Sequence, residues 1–378
     1  MVNNRTWTGG MALTGSGLLS RRALGGLATG LAVSLGLDAG AGAKKKKKEK
    51  KKKVGGAGNG CPACQANEVC LNKACSRFRF VKRWGGFGSG PNAFNVPRGI
   101  AINDEGILYV CDANNSLVKM FDTDGTFIDF WGGEGNGNGQ FEGPEGIAFD
   151  SEGFVYVADR DNDRVQEFTA SGVYERQWGS FGTGNDRFDA PGGVAVDGED
   201  NVYVADIGND RVQKFTSEGV YVATLGGPGT GDGQFNGPWG IAIAGTAVYI
   251  TDAGNHRVHE FTTAGAHVET WSGFGFGDGQ LVGPRGIAVG IDGTLFVADG
   301  NKRIQQFTSA GGFITRWGSQ GTAVGQFSQP QDIAIDAGGN VYITDSEVEK
   351  YAPVGGAPRV ASESQERQRR GRRGKGSR

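Results

Sequence analysis

The chain has 378 residues, of which 69 are glycine and only 11 proline. Glycine far above the roughly 7% of ordinary proteins, with no Gly-X-Y period, excludes a collagen-like rod and suits many tight turns between short strands. The net charge of −2 hides a divided chain: residues 76–356 hold 18 Lys/Arg against 36 Asp/Glu, 13 Lys/Arg precede them and 8 follow, so the acidic body is not expected to bind nucleic acid.

Taken from the N-terminus, the segment Ser20–Gly26 (SRRALGG) resembles the twin-arginine translocation motif. Arg21 and Arg22 precede a mildly apolar run from Ala23 to Leu37. That run is shorter than the roughly 20 residues a membrane span needs. Ala39–Ala43 (AGAGA) then sets small residues in cleavage register. Leu24 departs from the motif, which often has Phe there. The resemblance implies an export signal over residues 1–43 and an extracytoplasmic protein, secreted or held at the cell envelope.

Residues 44–60 read as a disordered linker, because the run Lys44–Lys53 repels itself. It is either a solvated spacer or a tether to anionic membrane or cell wall. A small Cys-rich segment follows at 61–75, with Cys61, Cys64, Cys70 and Cys75. In an exported chain, four close cysteines read as two disulfides of unassigned pairing. A zinc site on all four thiolates is the alternative, although only one C-x2-C knuckle is present. Cys111 lies within the apolar run LYVCD and is expected to be a buried thiol.

From Phe80 the chain repeats itself. Trp84, Trp131, Trp178, Leu225, Trp271 and Trp317 form one series, and Asp112, Asp159, Asp206, Asp252, Asp299 and Asp345 another. A fixed period of this length marks a propeller, solenoid or array. The third copy contains four short strand-like runs, VYERQW, GVAVD, NVYVAD and RVQKF, bounded by Gly, Asp or Asn. Four antiparallel strands repeated radially make a propeller blade. The wording P-x-G-I-A-V-D, G-x-V-Y-V-A-D and N-x-R-V-Q-x-F resembles the NHL-repeat family across residues 80–355. The resemblance implies an all-β, six-bladed β-propeller of four-stranded blades over residues 78–355. The phase of the repeats predicts that Phe78–Trp84 completes the sixth blade beside Val348–Tyr351, so that an N-terminal strand closes the ring.

The recurring DIGNDR cluster at Asp206–Arg211 reads as scaffold, because a catalytic set is not needed once per blade. Function is then expected where the copies differ. The connections from second to third strand and from outer to inner strand share one face. The residue after the blade-opening proline is Arg98, Glu145, Gly192, Trp239, Arg285 or Gln331. Arginine and tryptophan of this kind are enriched at binding hot spots. Arg98, Glu145, Trp239, Arg285 and Gln331 are therefore the candidate ligand-binding residues, with Asn115, Asp161, Asn209 and His256 around the same rim. Blades one and six break the pattern: Leu117 replaces the arginine, the turn after Asp345 is short, and Asp332 replaces a glycine. A notch is expected beside them.

The resemblance also bears on chemistry. Amidating lyases of the NHL family bind zinc through histidines from several blades. Here the three histidines, His256, His259 and His267, fall in one repeat, so neither that activity nor a bound metal is expected. No cofactor is expected; calcium in the acidic turns is the one weak option. The expected function is a monomeric binding or interaction module for protein, peptide or envelope glycan. A secreted propeller hydrolase or lyase, metal-assisted or not, is the alternative. The tail 356–378 reads as a basic disordered end.

Overall fold

Burial on both faces sets the strand pattern. Val155–Asp159, Val202–Asp206 and Leu295–Asp299 are buried at every position, which explains why VYVAD reads as a continuous apolar run and not as an alternation. The outer strand Tyr174–Trp178 instead exposes Glu175, Arg176 and Gln177.

The computed structural model describes residues 68–71 and 74–355, with side chains from Arg77 onward. The export signal, the lysine run, Cys61, Cys64 and the basic tail lie outside the described residues. The described chain forms six antiparallel blades, each ordered from inner to outer strand. Blade three, for example, runs Pro191–Val196, Val202–Asp206, Arg211–Phe215 and Tyr221–Leu225. Adjacent blades share their cores: Tyr109 and Trp131 pack with Phe141, Val157 and Phe168 of the next blade. The aromatic residues of the GQF segments, Phe141, Phe235 and Phe327, are fully buried.

The ring closes where the repeat phase placed it. Strand Ala74–Trp84 pairs with Val348–Pro353, setting Phe78 opposite Pro353 and Trp84 opposite Val348. Each end of the chain thus covers an edge the other would leave open. The first strand also continues into a hairpin with Glu68–Leu71, which adds a fifth strand to blade six and sets Cys70 opposite Cys75.

The inner strands meet at a waist in the central channel. A Cβ at Gly193 would lie 2.3 Å from Trp239 O, and one at Gly240 would lie 2.4 Å from Arg285 O. Gly99, Gly146 and Gly286 are equally tight against the next blade. Neighbouring backbones approach this closely only without side chains. The sixth position is Asp332. Beyond the waist a cavity of about 980 Å³ opens, walled in part by Ile102, Phe149, Val196 and Ile335.

Candidate functional site

The recurring cluster is built as a turn clamp. Asp206 accepts the Asp189 N–H at 2.8 Å, Asn209 Nδ2 at 2.9 Å, Arg211 Nε at 2.7 Å and Gln213 Nε2 at 3.0 Å. Arg211 then donates to Gly184 O and Arg187 O in the preceding connection. Asp159 and Asp299 hold Arg164 and Arg303 in the same way. The Asp206 carboxylate and the Asn209 and Gln213 amides are thus spent within the cluster, which ties three segments together.

Blade one, with Leu117 in place of the arginine, is compensated. Lys119 reaches Asp112 at 2.8 Å, fully buried. Blade six has no such cation: Glu349 occupies the position and accepts the Tyr351 hydroxyl at 2.5 Å. A cleft of about 590 Å³ lies beside blades six and one, lined by Phe87, Asn95, Gln329, Asp345 and Glu347 among others.

Five of the residues following the blade-opening prolines come together at the channel mouth. Arg98 lies 3.3 Å from Glu145 and donates to Gln331 at 3.4 Å. Arg285 also donates to Gln331, and its guanidinium sits 4.4 Å above the Trp239 ring. The result is a belt, Glu145–Arg98–Gln331–Arg285–Trp239, that spans five of the six blades. Gly192 is the gap, where an added Cβ would meet Ile207.

The four rim residues do not join this belt as a set. Asn115 and Asn209 spend their amides on Asp112 and Asp206 and on Gly88 O and Gly182 O. His256 accepts the Gly283 N–H at Nδ1, as Asp163 and Asp210 accept the Ala190 and Gly237 N–H groups in blades two and three. Asp161 is exposed, 4.0 Å from Arg160.

Two further groups stand at the mouth, one that sequence reasoning passed over and one that it marked only as a break in the repeat. Arg160 adds a third guanidinium near Glu145. The signal was present: the residue after the strand-ending aspartate is small or uncharged in the other blades, Ala113, Ile207, Ala253, Gly300 and Ser346. Asp332 is the other, lining the mouth beside the belt. Its carboxylate accepts the Ile100 N–H at 3.1 Å, and burial pushes its pKa up to about 7, with Glu145 adding to the rise. Burial also raises Glu145 above its ordinary range, against the pull of Arg98, Arg160 and Arg285. Burial and the neighbouring Arg98 hold the Arg285 guanidinium below its usual range. Among the described residues, Arg98 Nε and Arg160 Nε are buried and make no hydrogen bond, the nearest carboxylate to Arg160 Nε being Asp161 at 4.0 Å. Three arginines, two orphan donors and carboxyls that resist ionisation make this mouth receptive to an anion, on a body that is otherwise acidic.

Two of the three histidines come together, His259 Nδ1 lying 3.4 Å from His267 Nε2 with Thr270 Oγ1 beside both, whereas His256 accepts the Gly283 N–H instead. His259 is fully buried, 3.3 Å from Asp252, with its other nitrogen 2.9 Å from Thr270 Oγ1. Among the described residues, no group of three or more His, Cys, Asp or Glu is placed to hold a metal ion.

Comparison with solved structures bears on the fold. A gluconolactonase from Xanthomonas campestris superposes with a TM-score of 0.55 at 14% identity, over 77% of this chain and 96% of that one. A streptogramin B lyase gives 0.53 at 15%, over 73% and 98%. The virginiamycin B lyase of Staphylococcus aureus gives 0.50 at 14%, over 73% and 100%. At such identity the likeness is one of fold. Comparison with curated proteins found no match. The NHL-repeat family model matches residues 94–121, 141–168, 188–215, 235–261 and 327–348, which leaves only the fifth blade unmatched, where Asp299 and Arg303 are one residue closer than Asp206 and Arg211. The chain therefore carries NHL repeats, arranged as a six-bladed β-propeller.

Proposed function

We propose that this propeller is a binding module and that its channel mouth holds a protein, peptide or envelope glycan by an anionic group. The observation that carries this reading is the Glu145–Arg98–Gln331–Arg285–Trp239 belt, where guanidinium groups and an indole face converge on one opening. Nothing in the blade repeat requires those side chains. A guanidinium stacked on an aromatic ring is pre-oriented to grip a carboxylate or phosphate. NHL propellers are known for protein interactions, which fits a protein partner. The export-type N-terminus puts that partner outside the cytoplasm, and the lysine run is a candidate tether to an anionic surface. Among the described residues, no helix is long and apolar enough to cross a membrane.

The test uses the immobilised full-length protein against acidic peptides and uronic-acid oligosaccharides, with neutral and basic counterparts. Acidic members are expected to bind. The double substitution Trp239→Ala with Arg285→Ala is expected to weaken them on the order of 30-fold or more, at an unchanged melting temperature. Retained affinity, or unfolding of the double mutant, refutes the assignment.

One observation favours a second reading. Asp332, with a pKa near 7 at the mouth, is suited to proton transfer at neutral pH. A hydrolase or lyase would use it as acid or base, and two structural neighbours are described as a lyase and a gluconolactonase. Turnover of lactone or ester substrates that is lost in Asp332→Asn would support an enzyme; the absence of turnover in the native protein would leave the binding module.

A further inference from the structure

The closed ring has one seam, and the seam lacks a turn. Elsewhere the turn from third to outer strand lies over the preceding blade. Tyr109 donates to Ala170 O at 3.0 Å. Tyr203 and Lys214 both donate to Thr263 O, at 3.2 and 3.1 Å. Lys350 donates to Thr123 O at 2.8 Å. In blade six the third strand ends at Pro353, and the outer strand comes from the other end of the chain, so no turn joins them. The two strands are tied instead by the Val354 N–H on Arg77 O at 2.7 Å. Against blade five this leaves a cavity of about 280 Å³, walled by Phe78, Ile291, Phe296, Ile335 and Pro353 and by Gln306.

Blade five differs in sequence where it faces this gap. Tyr109, Tyr156, Tyr203, Tyr249 and Tyr342 stand at one position in the other five blades, and Phe296 stands here without a hydroxyl. Gln306 occupies the place of Lys214 and Lys350, which is Met120, Glu167 and Glu260 in the remaining blades. Its amide orientation is fixed by a relay. Thr294 Oγ1 donates to Asp292 at 2.6 Å, so its oxygen is free to accept Gln306 Nε2 at 2.8 Å. Gln306 Oε1 is then the outward end of the relay, a buried acceptor with no hydrogen-bond partner among the described residues. In blades one, three and six the blade offers a donor and the neighbouring turn an acceptor; at the seam the blade offers an acceptor, and among the described residues neither a donor nor a turn meets it.

We propose that the seam cavity binds a compact, mainly apolar ring compound carrying one N–H or O–H donor, which bonds to Gln306 Oε1. Its volume is at the small end of ligand sites, its walls are largely aromatic and aliphatic with Arg77 and Asp292 also in the lining, and a buried carbonyl without a donor is the kind of group a ligand completes. This site is separate from the channel mouth and stands whether or not the mouth binds anions.

The probe is indole, titrated into the full-length protein by ligand-observed NMR, with benzofuran as the ring that lacks the donor. Indole is expected to bind on the order of tenfold more tightly than benzofuran. Gln306→Met installs the side chain that blade one carries as Met120, so the fold accommodates it, and it should erase that preference. Phe296→Tyr restores the tyrosine of the other blades. Tyr203 Oη and Lys214 Nζ converge on the same two oxygens, of Asp197 and Thr263, so a hydroxyl at 296 would arrive beside Gln306. Phe296→Tyr should therefore abolish indole binding and raise the melting temperature. Equal affinity for the two rings, no indole binding, or indole binding that survives in Phe296→Tyr would each overturn the assignment.

Discussion

Asp206 and its counterparts are carboxylates taken out of water, and each needs a positive or donor-rich neighbour to remain there. Four blades supply an arginine, from Arg164 to Arg303, and blade one supplies Lys119. Blade six supplies Glu349 beside Asp345. Burial pushes the Glu349 pKa up to about 7, with Asp345 and Glu347 adding to the rise and Tyr351 opposing it. In the unfolded chain the group ionises near 4.3. Between those values the folded state holds the extra proton, so stability falls as pH rises from about 4 to about 7 and then levels off. Glutamine occupies this position as Gln166, Gln213 and Gln305. Glu349→Gln is therefore expected to raise the melting temperature at pH 8 and to leave it unchanged near pH 4. Thermal scans at the two pH values check the sign; a gain confined to acid would contradict it.

At the scale of the strand, the sequence was most legible where the repeat imposes it. The apolar VYVAD runs, the terminal aspartates and the period together specified strands, blades and ring closure, because each is a local pattern copied six times. The belt was legible only in part. Aligning the copies puts Arg98, Glu145, Trp239, Arg285 and Gln331 at one level, but not the contacts: Gln331 bridges two arginines on different blades, one 233 residues earlier. Asn115 and Asn209 looked like rim ligands because both are exposed-type polar residues in turns, yet a backbone carbonyl and an aspartate absorb their donors. What holds the belt level is the glycine waist beneath it. Gly193→Ala would press a methyl group against Trp239 O, where strand backbones cannot separate without opening the ring. A cost of about 3 kcal/mol is expected from such overpacking, together with weaker ligand binding through the displaced Trp239. Gly198 has open space around its Cβ position, so Gly198→Ala should be near neutral. Urea unfolding of the pair distinguishes close approach from a general intolerance of glycine loss.

For the molecule as a whole, closure turns six nearest-neighbour packings into one object. In an open repeat array stability is close to a sum over neighbours, and ends fray first. Here Phe78, from the first strand, stacks on Trp317 at 4.9 Å and meets Phe296 edge-on at 5.4 Å, both in blade five. It packs where Trp271 instead meets the turn glycine Gly311 one blade earlier. Blade six therefore cannot open without exposing blade five, and the N-terminal strand is a structural part of both. Phe78→Ala removes a large buried ring at that junction and is expected to cost about 3–5 kcal/mol. Because the ring is closed, the loss should appear as a single transition shifted to lower urea, with its slope preserved. Phe181, at 68% exposure, is the control, and Phe181→Ala should change stability by less than about 0.5 kcal/mol. A second, earlier transition in Phe78→Ala would mean that blade six melts alone, and that the hydrogen-bonded seam does not make the propeller one cooperative unit.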